Sequence, residues 1–438
     1  MNTEHKTEMR PEVKMKLPGP KAQAIIARDE KYSSPSYIKE YPLVVESGEG
    51  PWIYDVDGNR FLDFMAGIAV TSTGHSHPKV VSAIKAAADK FLHICATDFY
   101  YDSFAAACEK LASYVPQMGK KRVFLSNSGA EAVEGAIKLA RHHTKRTNII
   151  AFKGAFHGRT LGAVSLTSSK VKQRAHFGPL LSGVTHVDYP NAYRGVKAPD
   201  FEGDLFLRHV DPTEVAAIFV EPILGEGGYV MPPASFLKSL RETCDKYGIL
   251  LVFDEIQCGI GRTGQMFAAE LFGVAPDILL SAKGIASGMP LGAIIAKESV
   301  MTWPKASHGS TYGGNPICCA AALATLEIVE GLLPQVRENG DYFLAGLKKL
   351  QTKYPRIGDV RGTGFMIGVE FIEPSTQTTT KTPATAWVGK LEQLAFTKGL
   401  LLLSCGQSTI RLAPPLVVGK HEIDICLHIM EECFKELG

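Results

Sequence analysis

A chain of 438 residues exceeds one ordinary domain, so two or three are expected. Hydrophobic content of 45% and charged content of 21% fit a globular protein with a large core and room for a cleft between domains. The net charge of +2 comes from 47 basic and 45 acidic residues without a dominant run of either sign, which excludes nucleic acid and anionic membrane surfaces as expected partners.

The first residues, MNTEHKTEMRPEVKMK, are polar and lack the apolar stretch of a signal peptide. No segment approaches 18 uninterrupted apolar residues, so no membrane span is expected. The nine cysteines are scattered apart from Cys318 and Cys319, and no C-x-x-C pair suggests zinc. Reduced thiols and a cytoplasmic location follow as expectations.

Residues 1 to about 40 read as an arm with short helices. A strand pair is expected next, at 43–45, 52–55 and 61–63, with a turn at Asp57-Gly58-Asn59. Pro78 opens a helix through Val80, Ala83, Ile84 and Ala87. Short apolar runs then alternate with helical stretches, at 122–125, 148–152, 217–220, 250–253 and 278–280. Such runs suit a mostly parallel sheet covered on both faces. From about 341 the pattern changes to a helix, strands around 364–371 and 400–403, and a C-terminal helix over 422–437. This reads as a second, α+β domain packed with the N-terminal strands. The Thr-rich stretch 376–382 reads as an exposed loop.

Two strand ends carry polar groups that together suit one chemistry. Leu251-Val252-Phe253 ends at Asp254, and Ile278-Leu279-Leu280 leads to Lys283. Ligands of open α/β sheets bind beyond the carboxyl ends of strands, so both residues can face one crevice. A lysine amine and a carboxylate there match pyridoxal 5′-phosphate: the amine holds the cofactor as an imine and the carboxylate keeps its ring nitrogen protonated. Taken alone, the pair fits a structural ion pair at a domain seam equally well.

Other motifs add weight. Ser126-Asn127-Ser128-Gly129-Ala130 follows a strand and opens a helix, whose free N–H groups make a phosphate cradle. In Phe156-His157-Gly158-Arg159-Thr160, Phe156 can stack on a ring and Arg159 can receive a carboxylate; a core phenylalanine beside a surface arginine is the plainer alternative. Gly259–Gly264 matches the dinucleotide G-x-G-x-x-G string. Asp254 and Glu255 at the preceding strand end would repel a pyrophosphate, which excludes that use.

SNSGAEAVEGAIKLAR, FHGRT, VEPILGEGG, LLVFDEIQCGIGRTG, PDILLSAKGIASGMPLGA and HGSTYGGNP occur in this order. The chain therefore resembles the class III (ω-) aminotransferases of fold type I, from about Leu17 to its end, and among them 4-aminobutyrate aminotransferases. The resemblance implies an α/β fold with a mostly parallel seven-stranded sheet in a large domain over 76–330. It implies a small α+β domain built from 1–75 and 331–438, and a homodimer with shared active sites.

The resemblance places Gly129 and Ala130 on the cofactor phosphate, Phe156 over the ring, Asp254 on the ring nitrogen and Gln257 at the ring hydroxyl. Lys283 becomes the Schiff-base lysine and proton shuttle, and Thr311 contacts the neighbouring subunit's cofactor phosphate. Arg411 matches the receptor of the α-carboxylate of glutamate or 2-oxoglutarate, and Glu226 the acid that pairs with it when an ω-amino substrate brings none. Arg159 takes the distal carboxylate, Ile68 lines the pocket, and Glu221 sits near these groups without a defined role. The implied activity is ping-pong transamination of an ω-amino acid, 4-aminobutyrate foremost, with 2-oxoglutarate as acceptor. Ornithine, lysine and acetylornithine are alternative donors. An amino-acid racemase on the same site is a rival, since LPGPKAQAIIARDEKYSSPSY reads like the N-terminal segment of that subgroup. A non-catalytic cofactor-binding protein is a second rival, and intact Lys283, Asp254 and Arg411 speak against it. The aromatics Tyr37, Phe99, Tyr100 and Tyr101 are read as packing residues rather than pocket walls.

Overall fold

The structure is a computed structural model that describes residues 9–374 and 381–438. Its centre is a seven-stranded sheet in the order Lys121–Ser126, Gly292–Lys297, Ile278–Ser281, Leu250–Asp254, Val215–Val220, Asn148–Phe152, Val184–Val187. Gly292–Lys297 runs antiparallel to both its neighbours, and the other pairings are parallel. The five strands located from the sequence are all present. The outermost strand Val184–Val187 and the antiparallel Gly292–Lys297 complete the sheet.

The inner parallel strands are mostly apolar because both their faces are covered, and successive side chains enter different cores. Ile150, Phe152, Ile218, Val220, Leu251 and Phe253 join a core with Phe236, Leu237 and Leu240 of the helix Phe236–Tyr247. Ile149, Ala151, Ala217, Phe219, Leu250 and Val252 join another with Val133, Ile137 and Leu139 of the helix Gly129–Thr144. A sheet gripped on both faces fixes its strand ends, and those ends carry the candidate site.

The helix Pro316–Lys353 is long and apolar enough to cross a membrane by length and composition, but half of its most apolar stretch is buried. Phe343 on it meets Phe64 edge to face at 5.6 Å, both fully buried, so core packing accounts for its apolar side. This helix starts at Asn315, whose side chain caps it, and runs without a break past residue 341, where the sequence suggested a new element.

Two four-stranded sheets flank the centre. In one, Val45–Glu49, Trp52–Asp55 and Arg60–Asp63 form a meander, and Leu400–Leu401 pairs in parallel with Leu62–Asp63. The turn at Asp57–Asn59 forms around Asp55, whose carboxylate accepts the N–H groups of Asp57 and Asn59. The other sheet is antiparallel: Ile357–Thr363, Met366–Phe371, Thr409–Leu412 and Leu403–Cys405. The N-terminal arm holds the helix Pro20–Tyr32, and the last helix is Lys420–Leu437. The loop expected at 376–382 falls, as far as 380, outside the described residues.

Candidate active site

A cavity of about 490 Å³ lies at the carboxyl ends of the parallel strands, where the topology of an open α/β sheet places ligands. Gly129, Ala130, Phe156, Arg159, Asp254, Gln257 and Lys283 all line it, so most of the residues singled out from the sequence converge on one space.

One wall is the start of the helix Gly129–Thr144. The Ser128 hydroxyl accepts the Glu131 N–H at 3.2 Å, and the Glu131 carboxylate accepts the Asn127 N–H at 2.7 Å. This reciprocal cap leaves the N–H groups of Gly129 and Ala130 without an acceptor among the described residues, at the positive end of a helix. They form a ready anion cradle. Asn127 also donates to the Ser310 hydroxyl at 3.1 Å, tying the cradle to the loop before Thr311.

Asp254 is buried at its strand end, with Oδ2 2.7 Å from His157 Nδ1 and Oδ1 accepting the Ile256 N–H at 3.1 Å. Burial pulls the His157 pKa down, but the hydrogen bond and charge of Asp254 outweigh it, so the net direction is up. His157 Nε2 is buried without a partner among the described residues. No role for this histidine is legible in sequence, because its partner lies 97 residues away and FHGRT offers no local hint of an acid. Gln257 is held by the Tyr229 hydroxyl, which donates to its Oε1 at 2.8 Å.

Lys283 follows the strand Ile278–Ser281 in a left-handed conformation, φ 46°. Burial lowers its pKa, against the opposing pull of the Glu226 and Asp254 carboxylates. Glu221 is also buried in the wall and pushed up to about 7, chiefly by burial. Glu226 and Arg411 form an ion pair across the junction with the antiparallel sheet. Burial raises the Glu226 pKa and lowers that of Arg411, but mutual attraction reverses both.

Arg159 is exposed at the cavity wall, its guanidinium 5.8 Å from the Phe156 ring centre. Ile68 and Thr311 are exposed and do not line the cavity, and Glu226 and Arg411 lie outside its lining as well; Val70 is part of it. Tyr37, Phe99 and Tyr100 are exposed away from it, and Tyr101 donates to the Gly314 carbonyl. The Gly259–Gly264 string is a packing device: a Cβ on Gly261 would lie 2.5 Å from Val329 Cγ1, and Arg262 O accepts the Phe365 N–H. Glu255 points away from the cavity to cap Ala268 and Ala269, and burial pushes it up to about 8.

Comparison with known proteins gives concordant results. The family model described as "Aminotransferase class-III" matches residues 33–434. The chain is 41% identical to the alanine/serine racemase of Pyrococcus horikoshii, over 97% of this chain and 93% of that protein. It is 41% identical to the 5-aminovalerate aminotransferase of Pseudomonas putida (91% and 95% covered). It is 39% identical to the 4-aminobutyrate aminotransferase of Escherichia coli (90% and 94%). Among solved structures, the ornithine aminotransferase of Toxoplasma gondii ME49 superposes with a TM-score of 0.84 at 32% identity, covering 95% of each chain. A pyridoxal-phosphate-bound amine transaminase from an uncultivated Pseudomonas species superposes with a TM-score of 0.84 at 31% identity, covering 93% of this chain and 97% of that one.

Proposed function

Because this chain belongs to the class-III aminotransferases, which depend on pyridoxal phosphate, we propose that it transaminates an ω-amino acid, 4-aminobutyrate foremost, with 2-oxoglutarate as acceptor. The residues present fit the cofactor. The unpartnered amides of Gly129 and Ala130 suit its phosphate, Phe156 its ring face, Gln257 its ring hydroxyl, and Asp254, braced by His157, its ring nitrogen. When bound, pyridoxal phosphate supplies an electron sink that stabilises negative charge on the carbon next to the substrate nitrogen.

The protein's part is to bind, orient and move a proton. Lys283 Nζ, with its pKa lowered by burial, carries a lone pair more readily than an exposed lysine and takes the proton from that carbon. Arg159 receives the distal carboxylate that ω-amino acids and glutamate share.

The observation that carries the reading is the Glu226–Arg411 pair. Glutamate brings an α-carboxylate that needs a cation, and an ω-amino acid brings none. A buried arginine left unpaired in the second case would be costly, and a glutamate that swings in and out removes that cost. A racemase always handles substrates with an α-carboxylate and has less use for such a stand-in. Ornithine, lysine and acetylornithine remain alternative donors on the same site.

Racemisation is kept as a second reading, favoured by the 41% identity with an alanine/serine racemase that extends over the N-terminal segment. One titration separates the two. Cofactor absorbance of the holoenzyme that bleaches with 4-aminobutyrate and returns with 2-oxoglutarate supports transamination. Unchanged absorbance, with decay of optical rotation of a single alanine enantiomer in the absence of any oxo acid, supports the racemase.

We further infer a homodimer in which Thr311 reaches the partner's cofactor phosphate. Thr311 is exposed beside exposed Tyr312, and Phe91, Leu92, Phe99 and Tyr100 are exposed apolar residues that a second copy would cover. The nine free cysteines fit a reducing, cytoplasmic setting.

A further inference from the structure

We propose that Glu221 is the positioning residue that holds the two substrate-recognition segments in register, a role that rests on Arg159 and Glu226 being substrate contacts. Glu221 stands just past the strand Val215–Val220 and is 4% exposed. Its Oε1 accepts the Phe156 N–H at 2.8 Å, and its Oε2 accepts the Gly225 N–H at 2.8 Å. Phe156 begins the segment that ends in Arg159, and Gly225 immediately precedes Glu226. The receptor for the distal carboxylate and the partner of the α-carboxylate receptor therefore hang from the two oxygens of one side chain.

The anchor is itself fixed. The Tyr189 hydroxyl contacts the carbonyls of Glu221 at 3.0 Å and Pro222 at 3.2 Å, and the strand behind it is fully buried. By contrast, Arg159 makes no ion pair among the described residues, so its guanidinium stands where its segment puts it.

The residue type follows from the geometry. Two converging N–H donors need two acceptors, which a carboxylate has; an amide has one, and its NH₂ would face a second donor. Burying a carboxylate with no cation bonded to it is unfavourable. A neutral side chain would pack there at less cost but would drop a tether.

The test uses holoenzymes carrying Glu221→Gln, Arg159→Ala and both, with kcat/KM read by single turnover for L-glutamate and for butylamine. Butylamine brings no carboxylate to either segment. Glu221→Gln is expected to lower kcat/KM for glutamate by about tenfold or more, since small misplacements of binding groups are costly. It should change butylamine by less than about threefold, and add less than about threefold once Arg159 is already alanine.

Equal losses with both substrates, or additive losses in the double variant, would mark Glu221 as a general structural residue and overturn the proposal. So would an unchanged rate with glutamate. If Arg159→Ala itself spares glutamate, the substrate assignment has failed and the proposal goes with it, which is a different result. Should the glutamine variant not fold, Glu221→Asp replaces it in the same comparison, because it keeps the charge but is too short to span both donors.

Discussion

Replacing Glu226 by alanine tests the charge switch directly. Arg411 is 5% exposed, and its pair with Glu226 ties the segment after the strand Val215–Val220 to the antiparallel sheet. Removing one partner of a buried ion pair costs about 3–5 kcal/mol, because a charge stays buried without compensation. The Glu226 side chain keeps 15% of its surface exposed, so the pair is not fully desolvated and the lower figure, about 3 kcal/mol, is appropriate. With an ω-amino acid bound the cost persists, since that substrate brings no carboxylate to Arg411. With glutamate bound it is relieved, and Arg411 no longer has to give up a partner first. The quotient of kcat/KM for 4-aminobutyrate over that for glutamate should therefore fall on the order of a hundredfold, at about 1.4 kcal/mol per factor of ten. Stopped-flow absorbance of the cofactor during each half-reaction measures both terms separately. Equal losses in the two half-reactions, leaving the quotient in place, would refute the switch.

Two further outcomes follow from groups away from the reacting atoms. Glu392 is buried, accepts the Ser404 N–H, and is pushed by burial from 4.5 up to about 7. A pKa raised on folding contributes stability that is complete below the unfolded value of 4.5 and is lost as pH rises through 7. Glu392→Gln keeps an acceptor and cannot ionise, so its advantage over the parent should be absent near pH 4 and reach roughly 3 kcal/mol above about pH 8. Denaturant titrations at both pH values measure it, and a difference independent of pH would sink the assignment. Gly158 has φ 134°, and an added Cβ would lie 2.8 Å from the Ala130 Cβ and 2.9 Å from that of Ala163. Gly158→Ala should push Ala130 off its place in the phosphate cradle and weaken cofactor binding by about tenfold or more. Cofactor retention on dialysis reports it, and parent-like retention would show that the cradle tolerates the shift.

The parts of the molecule that were legible in sequence are those whose cause is local. Strands such as Asn148–Phe152 and Leu250–Asp254 are apolar on both faces because both faces are covered, and that leaves a run readable by eye. Val184–Val187 is an edge strand with half-buried Val184, Thr185 and His186, and so carried no such run. Gly292–Lys297 is six residues long and buried except at its last, so its apolar run was as readable as the others and was simply not picked out. The helix Pro316–Lys353 was placed late because Pro334 lies inside it; the buried side chains on both sides of that proline, such as Val329 and Val336, hold the helix on course. In the site, Lys283, Asp254 and the Ser128 cap declare themselves by following strands. The His157–Asp254 and Glu226–Arg411 contacts join distant parts of the chain, 97 and 185 residues apart. The first was not foreseen, and the second was reached only through the family resemblance.

The parallel pairing of Leu400–Leu401 with Leu62–Asp63 has a consequence for biosynthesis. Leu62 is made 338 residues before its partner Leu400. At about 5–20 residues per second, the edge of that meander waits roughly 20–70 s for its last strand. During that interval Phe61, Leu62 and Phe64, all fully buried in the finished protein, lack the neighbours that cover them. Meanwhile every strand of the central sheet has been made, so the ground for Lys283 can form before Arg411 exists. A chain released early would thus hold the part of the site proposed to take the cofactor without Arg411, the proposed receptor for the substrate's α-carboxylate, and would expose a sticky strand edge as well.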